Sequence, residues 1–356
     1  MKTVVVGMSG GVDSSVTAYL LKQQGYRVVG VSFLLHEARG NAADAASCCS
    51  LVAARDAGRT AAALGVEHSV VNLRDRFSEQ VVDPFVGEYT CGRTPNPCIL
   101  CNRRIKFPAL AQHADSIGAE YIATGHYAQV AHGASGRMLL KKGADVQKDQ
   151  SYVLYMLPQT ILARLLLPLG RLRKEETRAV ARLLGLSAAE RPESQEICFI
   201  PDGDYSSFIL AAGRLPGPGP IILAETGKIV GRHDGIHRYT IGQRKRLPAV
   251  GRPVYVVRID PERNAVIIGS KDEAMKRACR VRDLTWIAPP AAHGGDSLRV
   301  TAKIRSMMRD EPATVCLRQE DALLTFDEPQ WAPAPGQSAV FYSGDVVLGG
   351  GIIREE

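Results

Sequence analysis

The first 130 residues alternate short apolar runs with amphipathic stretches. Runs that predict strands lie at 3–6, 28–34, 68–72 and 121–124, and patterns that predict helices lie at 14–24, 50–64 and 107–117. Strands alternating with helices are typical of a parallel sheet covered by helices on both faces. We therefore expect an α/β domain whose functional loops lie at the carboxyl ends of its strands.

Beyond residue 150 the pattern changes. It predicts helices at 159–166 and 174–185, and then short strands at 221–223, 229–231, 254–259, 265–269, 279–285, 298–305, 313–318, 339–342 and 345–353. A run of alternating Pro and Gly from Leu215 to Pro220 breaks regular structure and predicts a domain junction. The sequence thus predicts a catalytic domain over 1–210, a small β-rich domain over 211–275 and a C-terminal β-barrel over 276–356.

Composition narrows the class of protein. The chain of 356 residues is 45% hydrophobic and carries a formal net charge of +7. Lys and Arg outnumber Asp and Glu over 137–191 and over 227–263, which favours a polyanionic partner such as nucleic acid. No apolar run approaches the roughly 18 residues that span a membrane, and no signal peptide precedes the first strand. We expect a cytoplasmic protein, in which the eight cysteines do not form a disulfide framework.

The run Ser9-Gly10-Gly11-Val12-Asp13-Ser14 lies between the first predicted strand and the first helix. This order places unpaired backbone N–H groups at a helix N-terminus, where they bind anions. The glycines let phosphate oxygens approach the backbone, the serines offer hydroxyl donors, and Asp13 can hold Mg²⁺. No lysine follows the glycines, so this is not a kinase-type P-loop. The run resembles the pyrophosphate loop of the N-type ATP pyrophosphatases, which cleave ATP between the α and β phosphates to adenylate a substrate.

Cysteines form the second chemical signal. Cys98 and Cys101 follow two prolines, and their spacing brings two sulfurs within reach of one metal ion or one disulfide. A closed zinc site needs four ligands, and there is no second Cys-x-x-Cys. Cys198, taken alone, is typical of a buried core cysteine. Cys48 and Cys49 are adjacent and cannot easily bind one metal ion, so a structural or a sulfur-accepting role is open.

Several motifs occur in the order found in one family. They are Gly7-Met8-Ser9-Gly10-Gly11-Val12-Asp13-Ser14, Thr94-Pro95-Asn96-Pro97, Cys101-Asn102, Ala123-Thr124-Gly125-His126-Tyr127, Lys148-Asp149-Gln150-Ser151-Tyr152, Ile197-Cys198-Phe199 and Gly242-Gln243-Arg244-Lys245. Over almost its whole length, the chain resembles the tRNA-specific 2-thiouridylases of the MnmA type. The resemblance implies a PP-loop domain of the adenine nucleotide alpha hydrolase type, a small linking domain and a β-barrel. It also implies ATP-dependent 2-thiolation of the wobble uridine in tRNAs for Lys, Glu and Gln.

The resemblance assigns a role to each group of residues. ATP would contact Gly7, Met8, Ser9, Gly10, Gly11, Val12, Asp13, Ser14, Phe33 and Gly125. The target base would meet Asn96, Pro97 and Cys98, and the rest of the tRNA would contact His126, Lys148, Asp149, Gln150, Arg305, Ser306 and Gln337. Cys101 would be the catalytic nucleophile and Cys198 the persulfide carrier. The sulfur would come from a donor protein, a cysteine desulfurase or a relay protein.

The implied chemistry suits these residue types. A uridine C2 carbonyl has no good leaving group, and attaching AMP to its oxygen supplies one. A persulfide on Cys198 then delivers sulfur, either directly or after Cys101 releases sulfide and forms a disulfide with Cys198.

The chain departs from the common family pattern at two positions. Cys98 stands where many members have an Asp that could act as a general acid, and a thiol with a pKa of about 8.5 is a poor acid at neutral pH. Thiolates at 98, 101 and 198 could instead hold a 4Fe-4S cluster that binds hydrosulfide. Ser306 follows Arg305 where an aromatic residue is common.

Two other functions are compatible with parts of this pattern. An ATP pyrophosphatase that adenylates a carbonyl for amination shares the loop but has no need of the three cysteines. A non-enzymatic Fe–S or nucleotide-sensing RNA-binding protein has no need of the complete loop. Thiol-dependent turnover and ATP/pyrophosphate exchange distinguish these alternatives.

Overall fold

The computed structural model describes residues 1–36, 50–186, 189–190, 197–200, 203–213, 215–289 and 297–355. Cys48 and Cys49 lie outside these residues. The chain divides into two compact units. The first comprises Met1–Val82, Pro97–Gly203 and Asp345–Val347, and the second comprises Asp83–Asn96, Asp204–Gly344 and Leu348–Glu356. The predicted boundaries at 210 and 275 stay a prediction.

A five-stranded parallel sheet forms the centre of the first unit. Its strands are β1 (Thr3–Gly7), β2 (Arg27–Leu34), β3 (Glu67–Asn72), β4 (Tyr121–Ala123) and β7 (Leu165–Leu166), in the order β3-β2-β1-β4-β7. Val4 pairs with Val28 on one side and with Tyr121 on the other. Val4 and Val6 are fully buried, which accounts for the continuous apolar run of a central strand. The predicted α/β fold class is confirmed.

Helices connect these strands. They are α1 (Val12–Gln23), α2 (Leu51–Ala63), α3 (Arg74–Phe77), α5 (Pro97–Cys101), α6 (Phe107–Ser116), α7 (Gln159–Leu162) and α8 (Lys174–Leu183). The described part of the chain has two π-helical segments: Ser78–Val82 follows α3, and Asn102–Lys106 lies between α5 and α6. At the start of α2, the Ser50 hydroxyl accepts a hydrogen bond from the Ala53 N–H at 3.2 Å, as an N-cap does. No helix in the described ranges combines the length and the apolar character that a membrane crossing requires.

An antiparallel hairpin completes the first unit. Its strands are β5 (Ala128–His132) and β6 (Met138–Lys142). Val346 and Val347 pair with β6, and the Asp345 carboxylate lies 2.8 Å from the Lys141 ammonium. Residues close to the end of the chain therefore belong to the same compact unit as its first strand.

The second unit is mostly β structure. Its helices are α4 (Asp83–Thr90), α9 (Tyr205–Ala211) and α10 (Lys271–Ala274). A four-stranded sheet has the order β10-β11-β8-β9 and contains β8 (Gly219–Leu223), β9 (Ile229–His233), β10 (Tyr255–Asp260) and β11 (Ala265–Gly269). Buried Ile and Val side chains, including Val256 and Ile268, fill its core.

A closed barrel of six strands follows. They are β12 (Met275–Trp286), β13 (Ser297–Lys303), β14 (Glu311–Arg318), β15 (Asp321–Trp331), β16 (Ser338–Ser343) and β17 (Val346–Arg354). Neighbours pair in the order β12-β15-β14-β13-β16-β17, and β17 pairs with β12 to close the barrel. Alternate residues such as Val315, Leu324 and Phe341 point inward and are fully buried. The predicted β-barrel is confirmed.

Candidate active site

The Gly-rich run forms a tight loop between β1 and α1. Gly10 has a φ of 72°, and a Cβ at this position would lie 2.4 Å from the Ala53 carbonyl oxygen, so that only glycine fits against α2. The Ser9 N–H donates to the Ser14 hydroxyl at 3.1 Å, and that hydroxyl donates to the Gly11 carbonyl at 3.2 Å. The first N–H groups of α1 have no partner within the helix and face this loop. The geometry is that of an anion site at a helix N-terminus.

Gly125 lies directly against the start of α1. A Cβ on Gly125 would be 2.9 Å from the Asp13 carbonyl carbon and from the Ser14 nitrogen. The segment that follows β4 therefore packs against the Gly-rich loop only because residue 125 has no side chain. The structure thus brings together two predicted ATP contacts that are more than a hundred positions apart.

Asp13 is engaged by two side chains. The Lys174 ammonium lies 2.7 Å and 2.8 Å from the two carboxylate oxygens, and the Tyr127 hydroxyl donates to Oδ1 at 2.9 Å. The same ammonium is 5.5 Å from the centroid of the Tyr127 ring. Lys174 is not among the residues that the sequence indicates; the signal that could have indicated a distant cation is the absence of any lysine from the loop itself.

Three of the predicted ATP contacts have side chains in the hydrophobic core. The exposed fraction is at most 9% for each of Met8, Val12 and Phe33. Met8 packs in the cluster that contains Val4 and Val6. These residues would therefore contact a nucleotide through their backbone groups. Their role in ATP binding stays a prediction.

The segment 148–150, which is predicted to contact tRNA, forms hydrogen bonds with Tyr127. The Tyr127 N–H donates to the Gln150 side-chain oxygen at 2.9 Å, and the Gln150 N–H donates to the Tyr127 carbonyl at 2.8 Å. The Asp149 carboxylate accepts from the N–H groups of Gly143 and Ser151. Both side chains therefore fix the local backbone. Lys148 is half-buried in the same turn, and its backbone N–H donates to the backbone carbonyl of Asp145.

His126 is half-buried at the end of β4. Its Nδ1 lies 2.8 Å from the Thr124 hydroxyl, and its ring stacks on Phe107 with centroids 5.9 Å apart. These contacts hold the orientation of the imidazole. Its contact with tRNA stays a prediction.

The cysteine pair lies on α5, which begins at Pro97. Cys98 is exposed, whereas Cys101 at the other end of the helix is only 5% exposed. The chain continues into the π-helical segment at Asn102, whose side chain donates to the Val153 carbonyl at 3.1 Å. π-Helical turns are frequent at functional sites. This turn fixes the backbone that carries the Cys101 thiol.

Cys198 is half-buried and belongs to the same compact unit as Cys101. The neighbouring Phe199 packs edge-on against Phe77, with ring centroids 5.5 Å apart. Among the described residues, none of Cys98, Cys101 and Cys198 forms a disulfide. Within the described ranges, no three His, Cys, Asp or Glu side chains are grouped as a metal site, and a 4Fe-4S cluster on the three cysteines stays a prediction.

In the second unit, two side chains that are predicted to contact tRNA form hydrogen bonds with backbone carbonyls of the protein. The Arg305 guanidinium donates to the carbonyls of Ala332 and Ile241 at 2.9 Å and 3.3 Å. The Gln337 amide donates to the Thr94 carbonyl at 2.8 Å. Ser306 is half-buried beside Arg305, and Asn96 is half-buried at the end of the segment that contains Thr94. Arg305 and Gln337 thus hold chain segments together, and their contacts with tRNA stay predictions.

Three family models match successive parts of the chain. Residues 2–202 match the model described as the tRNA methyl transferase HUP domain. Residues 208–270 match the tRNA methyl transferase PRC-barrel domain, and residues 276–353 match the aminomethyltransferase beta-barrel domain. Among solved structures, a 4-thiouridine synthetase–RNA complex with bound ATP is similar at a TM-score of 0.39 and 16% identity, over 59% of this chain and 50% of that chain.

Curated relatives match from end to end. The tRNA-specific 2-thiouridylase MnmA of Halothermothrix orenii is 45% identical over 100% of this chain and 99% of its own length. The tRNA-specific 2-thiouridylase MnmA 1 of Caldanaerobacter subterraneus is 48% identical over 99% of this chain and 98% of its own. Identity at this level over all three matched regions means that the chain belongs to the tRNA-specific 2-thiouridylase (MnmA) family.

Proposed function

We propose that this protein is an ATP-dependent tRNA sulfurtransferase that replaces the C2 oxygen of the wobble uridine with sulfur in tRNAs for Lys, Glu and Gln. The proposal rests on one observation. A single compact unit contains both the anion-binding loop at the N-terminus of α1 and the buried Cys101 thiol at the end of α5. One site would activate the base, and the other would transfer the sulfur.

The loop residues act in the first step. The N–H groups at the start of α1 and the Ser9 hydroxyl hold the phosphates of ATP. The uridine O2 attacks the α-phosphorus, the bond to the bridging oxygen breaks, and pyrophosphate leaves with that electron pair. The N–H groups and the helix N-terminus stabilise the negative charge that develops on the leaving group.

Asp13 is the residue that would hold Mg²⁺. Its carboxylate lies in the first turn of α1, and Mg²⁺ commonly binds one carboxylate together with substrate phosphates. The ion would neutralise charge on the leaving pyrophosphate. Asp13 can accept it only if the Lys174 ammonium withdraws from the carboxylate oxygens.

The cysteines act in the second step. The terminal sulfur of a Cys198 persulfide attacks C2, the C2–O bond breaks, and AMP leaves. The Cys101 thiolate then attacks the Cys198 sulfur, which releases 2-thiouridine and forms a Cys101–Cys198 disulfide. In the alternative order, Cys101 attacks first and releases hydrosulfide, which attacks C2. Either route leaves one disulfide, and two electrons from a thiol reductant restore the enzyme.

We derive no step through an iron–sulfur cluster, because the described cysteines are not grouped as a ligand set. Burial of Cys101 serves the persulfide route, since it keeps water away from the reacting sulfur. Exposed Cys98 would lie beside the base rather than on the path of the sulfur.

The remaining partners follow from this chemistry. The substrate tRNA would bind through the Lys- and Arg-rich stretches and the barrel, and its affinity would fall steeply with salt. A persulfide-bearing donor protein, a cysteine desulfurase or a relay protein, would load Cys198. Because tRNA is modified where it is made and used, a cytoplasmic location is part of the proposal.

The test uses the full chain with unmodified tRNA, ATP, Mg²⁺ and a persulfide donor. We expect formation of 2-thiouridine, detected by retardation in a mercury-containing gel, together with AMP and pyrophosphate. Cys101→Ala and Cys198→Ala should abolish thiolation and leave ATP binding intact. Cys279→Ala is the matched control, because Cys279 is buried in the core of the barrel.

Two results would contradict the proposal. Pyrophosphate release that depends on ammonia instead of a sulfur donor would identify an amidating ATP pyrophosphatase. Binding of tRNA and ATP with no pyrophosphate release under any condition would identify a binding protein.

A further inference from the structure

Cys98 has no step in the proposed sulfur transfer, although it lies close to Cys101 along the chain. Both residues belong to α5, which begins at Pro97, and they are three positions apart. Cα atoms at this spacing on an α-helix are about 5 Å apart. Disulfides join residues whose Cα atoms are roughly 4.4–6.8 Å apart. The helix therefore holds the two cysteines at a separation that a disulfide can bridge.

The two cysteines differ in their access to solvent. Cys98 is exposed, whereas Cys101 is only 5% exposed and Ile99 between them is buried. One thiol thus meets solvent while the other faces the protein interior. Cys-x-x-Cys beside a parallel α/β sheet is typical of dithiol redox motifs. The pair is arranged to pass electrons from the surface to a buried sulfur.

The proposed reaction ends on a disulfide that a reductant reaches poorly. Two bonded sulfurs lie about 2.05 Å apart, so Cys198 must bring its sulfur to the buried position of Cys101. In thiol–disulfide exchange the incoming thiolate attacks a sulfur directly, and the rate depends on access to that sulfur. A protein dithiol, whose own cysteines lie on a folded surface, needs an exposed sulfur to attack.

We propose that Cys98 is a resolving cysteine that carries reducing equivalents to the Cys101–Cys198 disulfide. The Cys98 thiol loses its proton, and the thiolate attacks the Cys101 sulfur. The bond from Cys101 to Cys198 breaks, and Cys198 leaves as a thiolate that takes up a proton. The resulting Cys98–Cys101 disulfide has one exposed sulfur.

A dithiol reductant completes the cycle. One of its thiolates attacks the Cys98 sulfur, and Cys101 leaves as a thiolate. The second thiol of the reductant then breaks the mixed disulfide, so that the reductant is oxidised and Cys98 is reduced. Two electrons have passed to the enzyme. This inference rests on the proposed function, because it supplies the step that returns that reaction to its starting state.

The exchange joins two cysteines at a time, so the three sulfurs need not meet at one point. In the described ranges they are not grouped as a metal site, and none of them forms a disulfide. Cys101 is the member that both disulfides share. Its backbone is fixed by the neighbouring Asn102, whose amide donates to the Val153 carbonyl at 3.1 Å. Cys198 and Cys98 would therefore exchange on a sulfur whose backbone stays in place.

The first test identifies the sulfur that a reductant attacks. The full-length protein completes one turnover with tRNA, ATP, Mg²⁺ and a persulfide donor in the absence of reductant. A thioredoxin-type protein that retains only its attacking cysteine is then added, so that it stays bonded to the sulfur it attacks. After alkylation and tryptic digestion, we expect it on the peptide 94–103, at Cys98, with Cys101 alkylated. The separate peptide that contains Cys198 should not carry it.

The second test compares two reductants on the oxidised protein. We expect an intact thioredoxin-type dithiol to reduce Cys98→Ser and Cys98→Asp about tenfold or more slowly than the parent protein, because access limits the exchange. Reduction by tris(2-carboxyethyl)phosphine should change less than about twofold, since a small reductant reaches the Cys101–Cys198 disulfide without Cys98. The variants would thus differ from the parent protein in the choice of reductant and not in the transfer of sulfur.

A matched control is Cys316→Ser. Cys316 is half-buried on β14 in the second unit, and no step of the exchange uses it. Both reductants should act on this variant as on the parent protein. Because Cys98 is exposed, Ser at that position leaves no buried polar group, and we expect the Cys98→Ser variant to fold like the parent protein.

Attachment of the trapping protein to Cys198 would overturn the inference and leave the proposed function standing. So would equal rates of reduction of the parent protein and Cys98→Ser by the protein dithiol. A parent protein that makes no 2-thiouridine, or makes it without forming a disulfide, would overturn both.

Discussion

The side-chain amide of Gln337 donates a hydrogen bond to the backbone carbonyl of Thr94 at 2.8 Å, across 243 positions of sequence. The Thr94 N–H in turn donates to the Pro335 carbonyl at 2.8 Å, and a Cβ on Gly336 would lie 3.0 Å from the Thr94 nitrogen. The turn at 335–337 therefore fixes the backbone immediately before Asn96, a predicted contact of the target base.

Replacing Gln337 by Ala should loosen this backbone. We expect a loss of about 1 kcal/mol in the free energy of unfolding, typical of one neutral hydrogen bond, and faster amide exchange at 94–96. Thiolation should slow, while ATP binding is unchanged. Gln330→Ala is the control, because the Gln330 amide donates to the Glu328 carbonyl of its own strand. If Gln337→Ala weakens tRNA binding without faster exchange at 94–96, Gln337 contacts RNA instead.

Removing the Asp13 carboxylate should destabilise the protein as well as inactivate it. Asp13→Ala removes the carboxylate that pairs with the buried Lys174 ammonium, and we expect a loss of about 3 kcal/mol in urea unfolding. The double variant Asp13→Asn/Lys174→Met should recover most of this stability, because neither charge remains. Neither variant should release pyrophosphate, and both should retain tRNA binding. Equal stability of Asp13→Ala and the double variant would show that the ion pair is not the cause.

Gly125→Ala should disrupt the Gly-rich loop between β1 and α1. The added methyl would lie 2.9 Å from the backbone of Asp13 and Ser14, so that β4 or the start of α1 must shift. We expect ATP affinity to fall by about tenfold or more, in line with overpacking costs of about 1–3 kcal/mol. The control is Gly87→Ala in α4, where no described residue outside the adjoining helical backbone comes within 4 Å of the added Cβ. Titration calorimetry measures both variants, and unchanged ATP affinity in Gly125→Ala would contradict the contact.

Stability should decline in mild acid because of buried histidines. Burial lowers the pKa of His237 below its ordinary value of 6.5, and the neighbouring Arg238 and His233 lower it further. Burial is also the main cause of the lowered pKa of His68 and His233. The folded state thus binds fewer protons than the unfolded chain, so stability is complete above about pH 6.5 and is lost as the pH falls below it.

His237 offers a direct test of this pH dependence. Neither of its ring nitrogens has a hydrogen-bond partner within the described part of the chain, and the residue is 3% exposed. In His237→Leu, the free energy of unfolding should fall less steeply between pH 6.5 and more acidic conditions than in the parent protein. Chemical unfolding at a series of pH values measures both slopes. Identical slopes would place the acid sensitivity at other groups.

Cys98 distinguishes the persulfide route from the cluster alternative. Because Cys98 is exposed and is not grouped with Cys101 and Cys198 as a metal site, we expect Cys98→Asp to retain thiolation with a persulfide donor. The variant should contain no iron when purified without oxygen. Cys101→Ala should be inactive under the same conditions. Loss of both iron and activity in Cys98→Asp would support an all-cysteine cluster.

The sequence predicts the first four strands of the parallel sheet well, but it predicts the segment 159–166 and the hairpin of β5 and β6 poorly. Strands β1 to β4 have strong apolar runs, and their positions agree with the predictions within a few residues. The predicted helix at 159–166 ends at Leu162, and Leu165–Leu166 adds a strand to the sheet instead. A short leucine-rich run fits either structure, and pairing with β4 decides between them. The hairpin of β5 and β6 was not predicted.

In the candidate active site, too, the sequence predicts local structure but not the contacts between distant segments. The order of glycines and serines predicts the loop, because backbone conformation is a local property. The partners of Asp13 depend on how distant segments pack, and nothing in the sequence around Lys174 indicates it. Likewise, Arg305 and Gln337 have the side chains of RNA-binding residues, but in the structure they bind backbone carbonyls of the protein.

The pairing of Val346 and Val347 with β6 has a consequence for biosynthesis. A ribosome that has made the parallel sheet, α8 and the cysteines at 98, 101 and 198 has not yet made the residues that cover the free edge of this hairpin. Nascent chains released before residue 345 therefore lack part of the first compact unit, including the partner of Lys141. Truncated translation products would be left with an unpaired strand edge, a target for aggregation and proteolysis.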